Sequence, residues 1–153
     1  MEKTKMISES SITDRLGIQD LVNKYALYID RHRIEEWVSL FTPDGILDES
    51  EFGFGTNVGH DSIRAYGLTL KDSVTYALHH ITTAVIEELN ETDAFGTVFS
   101  IVEARLKNGF HASYHVVNDD HYVKVGGKWL LKARVQRKTF EPMVFANPEN
   151  VPA

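Results

Sequence analysis

The sequence contains no cysteine and lacks any long apolar run. Without cysteine the chain can form neither a disulfide bond nor a thiolate nucleophile, and it cannot bind a metal through sulfur. No stretch approaches the roughly 20 consecutive apolar residues that span a bilayer, and the opening segment MEKTKMISESS has no apolar core of a secretory signal. These absences predict a cytoplasmic protein without membrane contact.

An excess of positive charge is also missing. The chain carries 16 Lys and Arg residues against 22 Asp and Glu residues, which gives a formal net charge of −6 at pH 7. Binding to a phosphate backbone depends on clustered cations, and the basic side chains here are scattered along the sequence. We therefore expect no nucleic-acid partner.

The residues that are present are those of one globular domain. Of the 153 residues, 42% are apolar and 25% are charged, and a chain of this length buries roughly 70% of its unfolded surface. We expect an N-terminal extension at residues 1–10, a domain at 11–141 and a C-terminal tail at 142–153, which holds three of the four prolines.

Three helices are predicted in the first half of the chain. Between about Ser11 and His32, apolar residues recur at three- and four-residue steps, which is the period of a helix with one buried face. A second short helix presents one apolar stripe: Ile34, Trp37, Val38 and Phe41. A third helix is expected at 61–70. Between the last two, TPDG predicts a turn, ILDESEF a strand and GFGTNVG a flexible flap over a pocket.

The second half of the chain changes to a period of two, which is typical of strands. The predicted strands cover about 75–89, 95–107, 110–125 and 128–140, with turn-forming NETD, KNG and GG between them. Helices followed by long strands predict an α+β domain in which three helices pack on one curved antiparallel sheet. We expect the sheet to curl around the first helix and to form a cone with a pocket in its mouth.

The order of four segments resembles a known family. IQDLVNKYALYIDRHRIEEWVSLFTPDGIL is followed by GHDSIRAY, LHHITT and VGGKWLLKARV, and this order resembles the SnoaL-like family of the NTF2-like superfamily. The resemblance implies the cone-shaped, cystatin-like fold. Within the family the chain is similar to cofactor-free lyases such as scytalone dehydratase, hexachlorocyclohexane dehydrochlorinase and bile acid 7α-dehydratase, whose active sites lie in the cone.

The resemblance also implies site residues. These lyases have an aspartate at the end of the first helix and a histidine on the strand after the third, which Asp30 and His79 match. In some of them an arginine late in the sheet corresponds to Arg134, and a tyrosine five residues before the aspartate corresponds to Tyr25. A further carboxylate corresponds to Glu103. Scytalone dehydratase has a second catalytic histidine without a counterpart here, so a scytalone-type substrate is not expected.

These residue types suit an elimination without a cofactor. His79 can take a proton from carbon, because an unperturbed histidine pKa of about 6.5 leaves the ring substantially neutral at pH 7. An ionised Asp30 beside it would hold one tautomer and stabilise the imidazolium. Arg134 would donate to a developing oxyanion or departing group, and Tyr25 would do the same or protonate the leaving oxygen.

The helix residues also have structural interpretations. An aspartate at a helix C-terminus opposes the macrodipole, and an ion pair between Asp30 and Arg31 or Arg33 would compensate. Tyr25 lies on the apolar stripe and is separated from Asp30 by about 140° of helical rotation. Core packing is therefore an alternative for Tyr25, and Tyr28 is a substitute candidate for the site.

The strand residues have structural interpretations too. His79 could be a buried histidine with satisfied hydrogen bonds, whereas His80 must face the opposite side, toward another layer or a subunit contact. Arg134 alternates with polar residues on a stripe that would face solvent, and Glu103 could pair with a basic residue across two strands. Asp120 is expected on a strand surface.

A metal site is not expected from the remaining histidines. His111 and His115 have a helical ligand spacing, but on a strand they lie about 13 Å apart. No HExxH motif is present and no cysteine can assist, so His121 completes no ligand set.

We predict a cofactor-independent lyase or isomerase that acts on a small hydrophobic cyclic compound, with His79 as the base. The candidate substrate-binding residues are Phe41, Phe52, Phe54, Tyr66, Phe99, Glu103 and Phe145. Polyketide cyclisation and epoxide hydrolysis on the same fold are alternatives, as is a non-catalytic ligand-binding module or structural subunit. A catalytic domain requires Asp30 and His79 within hydrogen-bond reach beside an open cavity, whereas a structural subunit would have that cavity filled.

An open sheet leaves one face uncovered, so we expect a homo-oligomer, a trimer ahead of a dimer.

Overall fold

The protein, here as a computed structural model, is described for residues 9–146. Most of the predicted N-terminal extension and the predicted tail beyond residue 146 lie outside the described residues. The helices are α1 (Glu9–Asp30), α2 (Ile34–Val38) and α3 (Gly59–Ser73), with a short 3-10 turn at Ser50–Phe52. The strands are β1 (Phe41–Asp48), β2 (Thr56–Val58), β3 (Val74–Leu89), β4 (Asp93–Leu106), β5 (His111–Val125), β6 (Lys128–Lys138) and β7 (Met143–Phe145). Within the described part, the search for a helix with the length and apolar character to cross a bilayer found none.

The strands form one curved sheet in the order β2-β1-β6-β5-β4-β3, and β7 pairs with β5. The predicted α+β class, with three helices and a long-stranded sheet, is confirmed. One pairing differs from the predicted antiparallel sheet, because β1 runs parallel to β6. The two-residue period reports which face a side chain occupies but not the direction of the neighbouring strand.

Helix α1 packs across the inner face of the sheet, which we define as the face toward the helices. Its apolar stripe is buried as the sequence predicts, with at most 5% of each residue exposed: Ile18, Leu21, Val22, Tyr25 and Ile29. Full burial of a large apolar side chain contributes about 1.5–3 kcal/mol, so this stripe fixes α1 over the sheet. Asp14 ties the start of the helix to the far strands through Trp129 Nε1 at 3.0 Å and Lys124 Nζ at 2.6 Å.

The predicted TPDG turn lies inside β1 rather than before it. Phe41 pairs with Leu131 and Ile46 with Ala133, so four residues of β1 stand opposite one residue of β6. Gly45 makes this excursion possible, because a Cβ there would lie 2.9 Å from the carbonyl oxygen of Thr42. Phe41 therefore starts a strand instead of ending the α2 stripe, although its side chain is buried as predicted.

Helix α3 closes the third side of the fold. It begins two residues earlier and ends three residues later than predicted, at Gly59 and Ser73. Its Gly67 lies against α2, where a Cβ would meet Ile34 Cγ2 at 3.0 Å and Trp37 Cζ3 at 3.1 Å. Glycine at this position therefore lets α2 and α3 pack closely.

Candidate active site

A cavity of about 310 Å³ lies between the helices and the inner face of the sheet. Its wall combines the three helices, the segment after β1 and strands β3 to β6. Most of the lining is apolar, with Ile29, Trp37, Leu70, Val102 and Val116 among the contributors. The volume is within the range of small-molecule sites, which combine apolar walls with a few placed polar groups.

Asp30 and His79 meet at the wall of this cavity. Asp30 Oδ1 lies 2.5 Å from His79 Nδ1, and the second carboxylate oxygen accepts a bond of 2.9 Å from the main-chain N–H of His79. Only 13% of the Asp30 side chain and 15% of the His79 side chain are exposed. With a proton on Nδ1 donated to Asp30, the lone pair of the neutral ring is on Nε2. The pair therefore has the geometry of an oriented base.

The end of α1 is shaped so that Asp30 is its last residue. Arg33 N donates to Tyr28 O at 2.8 Å and His32 N donates to Ile29 O at 3.0 Å, which is the Schellman pattern of helix termination. His32 adopts a left-handed φ of 53°, the one positive φ of a non-glycine residue among residues 9–146. His32 also lines the cavity, so the helix terminus itself forms part of the wall.

The surface ion pair considered for Asp30 does not form. Arg33 bonds instead to Glu36 at 3.0 Å and places its guanidinium 4.4 Å from the centre of the Tyr28 ring. Tyr28 packs against Arg33 and is not among the residues that line the cavity. The carboxylate of Asp30 is left for His79, which compensates for its unfavourable place at the helix C-terminus.

The two adjacent histidines of β3 lie on opposite faces, as alternation requires. His79 pairs with Val102 and His80 with Ile101 in the ladder with β4. Val102 lines the cavity together with His79, whereas His80 is exposed. The outer face, defined as the face away from the helices, thus carries His80.

Tyr25 reaches the same site despite the helical rotation that separates it from Asp30. It is 2% exposed, lines the cavity and has its ring centre 6.3 Å from that of His79. Burial raises the pKa of its hydroxyl well above the usual range. Tyr25 is therefore both a core residue and a neutral hydroxyl beside the base.

Arg134 is buried, which excludes the solvent-facing interpretation. Its Nε and one terminal nitrogen donate to the two oxygens of Asp120 at 2.8 and 2.6 Å, and both side chains are at most 1% exposed. Tyr122 Oη donates to the same carboxylate at 2.5 Å. The expected surface position of Asp120 is wrong. Asp120 faces inward by the regular alternation of β5, in which Asn118 and Tyr122 are also buried. A bulge in β6 turns Arg134 to the same face, because Ala133 pairs with His121 and Leu131 with Tyr122, so Lys132 is an extra residue that shifts the alternation.

The predicted direct contact of Arg134 with the reacting group is not supported by this arrangement. Its guanidinium lies 4.0 Å from the centre of the Tyr25 ring, and Arg134 is not among the residues that line the cavity. Arg134 therefore contacts Tyr25 rather than the cavity itself.

Three of the seven predicted substrate-binding residues line the cavity: Phe52, Phe54 and Tyr66. Phe41 is 1% exposed and packs in the core against Tyr25 and Trp37.

The other three predicted lining residues lie elsewhere, and that prediction is wrong for them. In β4 the even-numbered residues, such as Val102 and Ala104, face inward. The odd-numbered Phe99 and Glu103 therefore lie on the outer face. Phe145 is 54% exposed in β7. Glu103 accepts a bond from Ser113 at 2.7 Å and pairs with His111, as its structural interpretation anticipated.

The glycine-rich segment, predicted to be a flexible flap, contains the short strand β2. Gly53 and Gly55 both take a φ of 81°, which reverses the chain, and the following residues form β2 paired with β1. Phe52 and Phe54 project into the cavity and lie 5.7 and 6.2 Å from the Tyr114 ring, measured between ring centres.

Glu49 is the site residue that sequence reasoning missed. It is 8% exposed, lines the cavity and accepts a hydrogen bond from the Tyr66 hydroxyl. Burial raises the pKa of its carboxyl, while the Tyr66 bond and the charges of His79 and Arg134 partly oppose that rise. Its place two residues after the fully buried Leu47 was the available signal, since residues i and i+2 share a face of a strand.

The remaining histidines have separate partners. His121 Nε2 lies 2.9 Å from Asp93 Oδ1, and the His115 ring is 4.5 Å from that of Phe140, while His111 pairs with Glu103. A search of the described residues for three or more metal-ligating side chains in one place found no group.

Comparisons with known proteins agree with this architecture. The uncharacterized protein Rv2910c of Mycobacterium tuberculosis is 24% identical over 143 residues, which cover 91% of this chain and 95% of that protein. A proposed scytalone dehydratase from Novosphingobium aromaticivorans DSM 12444 aligns with a TM-score of 0.82 and 20% identity, over 95% of this chain and 99% of that one.

A second solved structure is the hexachlorocyclohexane dehydrochlorinase LinA-type3 from Novosphingobium barchaimii LL02, with a TM-score of 0.78 and 18% identity over 93% of this chain and 97% of that one. At such identities these two likenesses show the fold alone. The sequence itself matches the SnoaL-like domain over residues 10–135. The chain therefore belongs to the SnoaL-like domain family of the NTF2-like superfamily.

Proposed function

We propose that the protein is a lyase that eliminates HX from a small hydrophobic cyclic compound, with His79 as the general base and without a cofactor. The observation that carries the proposal is the hydrogen-bonded Asp30–His79 pair at the wall of an open apolar cavity. An open cavity with an oriented base favours an enzyme over a structural subunit, whose interior would be filled.

The proposed reaction begins with a proton on a carbon next to a carbonyl or comparable activating group. His79 Nε2 takes that proton, and Asp30 holds the ring through Nδ1 and stabilises the imidazolium that forms. A base positioned in this way contributes about 10²–10⁴-fold to the rate. Isomerisation would share this first step and return the proton to another carbon of the same substrate.

The substrate class follows from the cavity lining. Aliphatic side chains and the rings of Phe52, Phe54 and Tyr114 surround a space of about 310 Å³, which suits a small ring compound. The two solved relatives are named for loss of water and of hydrogen chloride, and both names describe eliminations of the proposed kind.

Tyr25 and Arg134 complete the proposed site in different ways. The Tyr25 hydroxyl is kept neutral by burial and donates to charge that develops on the substrate. Arg134 is a positioning residue, since its guanidinium packs over the Tyr25 ring and is itself held by Asp120.

The test is the conversion of 3-hydroxycyclohexanone to cyclohexenone, followed by the ultraviolet absorption of the enone. We expect Asp30→Asn and His79→Ala each to slow the reaction by about 10²–10⁴-fold. His80→Ala is the matched control, because His80 is exposed on the outer face of the same strand. Undiminished turnover in both variants of the pair would contradict the proposal.

A further inference from the structure

In the elimination proposed above, Tyr25 donates a hydrogen bond to developing charge, and protonation of the departing group is left without an assigned residue. Glu49 is a buried polar side chain of the cavity that this scheme leaves unused. Its backbone is fixed on both sides, because Glu49 N donates to Gly55 O at 2.9 Å and Glu49 O accepts from Phe52 N at 3.0 Å. The loop that carries the cavity phenylalanines thus also fixes the place of this carboxyl.

The hydrogen-bond partner of the Glu49 side chain is a hydroxyl group, that of Tyr66, rather than a cation. Tyr66 Oη donates to Glu49 Oε2, and the ion pairs among residues 9–146 do not include Glu49. The titratable or charged groups that face it from the surrounding elements are Tyr25, Asp48, Tyr66, His79, Tyr114 and Arg134. Burial outweighs the Tyr66 bond and the two positive charges, so the pKa of Glu49 is raised above its ordinary value.

Glu103 shows the opposite environment in the same chain. Its carboxylate on the outer face is bonded by His111 and Ser113, and these bonds lower its pKa. Glu103 is therefore suited to remain ionised, whereas the environment of Glu49 favours the protonated carboxyl. A carboxyl group that holds its proton in a water-poor cavity is the arrangement used for general acids.

We propose that Glu49 is the general acid of the elimination and that the substrate class is β-hydroxy carbonyl compounds, whose oxygen leaving group requires protonation. The inference rests on the proposed function, because it needs a base at His79. It distinguishes dehydration from loss of a halide, which departs as a stable anion without a proton. Tyr66 is a positioning residue that holds the carboxyl through the hydroxyl hydrogen bond.

The step balances without a further reactant. His79 Nε2 takes the proton from the carbon next to the carbonyl, and the electrons of that C–H bond form the new C=C bond. The C–O bond breaks, and its oxygen takes the proton of Glu49 to leave as water. The products are an enone, water, an imidazolium and a carboxylate. The imidazolium then loses a proton to solvent and the carboxylate regains one.

The experiment compares two leaving groups on one ring. 3-Hydroxycyclohexanone needs protonation of its leaving group, whereas 3-(4-nitrophenoxy)cyclohexanone releases the stable 4-nitrophenolate, which is followed by its colour. We expect Glu49→Gln to slow the first probe by about 10²–10⁴-fold and the second by less than about threefold. Glu51→Gln is the matched control, because Glu51 lies in the same segment but bonds outside the cavity to Lys138 N.

The outcomes separate the two proposals. Equal slowing of both probes by Glu49→Gln overturns the inference, while undiminished turnover of both probes by Asp30→Asn overturns the proposed function. An infrared difference spectrum between wild type and Glu49→Gln gives a readout that needs no turnover. The C=O band of a protonated carboxylic acid, lost in the variant near neutral pH, supports the inference. A wild-type spectrum without that band overturns it.

Discussion

The two faces of the sheet give the same residue types different chemistry. On the inner face His79 bonds to Asp30, and Arg134 is sealed against Asp120. On the outer face His111 pairs with Glu103, and Arg137 pairs with Asp119 while more than half of its side chain is exposed. The residue type thus does not identify the site. Burial and the partner that each group meets decide whether it is a surface ion pair or a reactive group.

The largest expected difference between the faces is in the cost of breaking an ion pair. Asp120→Asn leaves Arg134 buried without its counter-charge and should destabilise the fold by about 3–5 kcal/mol. Asp119→Asn, one residue away on the outer face, should cost less than about 1 kcal/mol. Urea unfolding followed by circular dichroism measures both.

If Asp120→Asn does not fold, the double variant Asp120→Asn with Arg134→Gln should restore part of the stability, because the uncompensated charge is gone. Equal decreases in the free energy of unfolding for Asp119→Asn and Asp120→Asn would contradict the expected difference between the two faces.

A second difference concerns access to the cavity. Val102→Trp places a large ring in the cavity that His79 lines, and we expect it to reduce turnover of 3-hydroxycyclohexanone by at least about 100-fold. The melting temperature should not fall, since the cavity has room for the added atoms. Ile101→Trp, on the outer face, should leave turnover within about twofold. A loss of activity in both variants would show that the face does not decide the effect.

A third difference is the pH dependence of stability. The raised pKa of Glu49 means that its carboxyl ionises more readily in the unfolded chain. Stability therefore falls as pH rises above the ordinary Glu pKa of about 4.3, and it stops falling above the raised pKa of the folded state. Glu49→Gln has no carboxyl to ionise, so its free energy of unfolding does not include this decrease. From acidic to neutral pH, the free energy of unfolding of the variant minus that of wild type should therefore increase by about 1.4 kcal/mol for each unit by which the pKa is raised.

Urea midpoints measured at acidic and neutral pH test this, because titration of every other group is common to both proteins and cancels. The control Glu51→Gln, in the 3-10 turn next to Glu49, should give a curve parallel to wild type. A parallel curve for Glu49→Gln as well would contradict the raised pKa.

The smallest effect on the fold is expected at the outer face itself. Its exposed apolar side chains include Leu78, Phe95 and Phe99, each at least 36% exposed. We propose that a second copy of the chain covers them, in a homo-oligomer with a trimer ahead of a dimer. Phe99→Ser should then reduce the mass measured by size-exclusion chromatography with light scattering and change the stability of the protomer by less than about 0.5 kcal/mol. A wild-type mass of 17.3 kDa would contradict this.

The architecture could be predicted because periodicity reports burial. The stripe of α1 and the alternation of His79 and His80 needed no knowledge of the partners that these residues meet. The Asp30–His79 contact was predicted through the family resemblance, since a helix end and a strand that are 49 residues apart share no local pattern.

The rest of the site could not be predicted for physical reasons. The bulge at Lys132 turns Arg134 inward and has no signal in the sequence, because one extra residue is allowed by many side chains. Phe99 and Phe145 were chosen by aromatic type rather than by face. Glu49 is in phase with Leu47, but the residue type gives no signal of burial, since glutamate is mostly exposed in proteins.

Asp30 binds the main chain of His79 as well as its ring. The two residues come from positions far apart in the chain. The His79 ring is therefore not oriented by Asp30 until α1 has docked on β3. Turnover in this protein should report completed tertiary assembly, and a refolding chain should regain its secondary structure before it regains any activity.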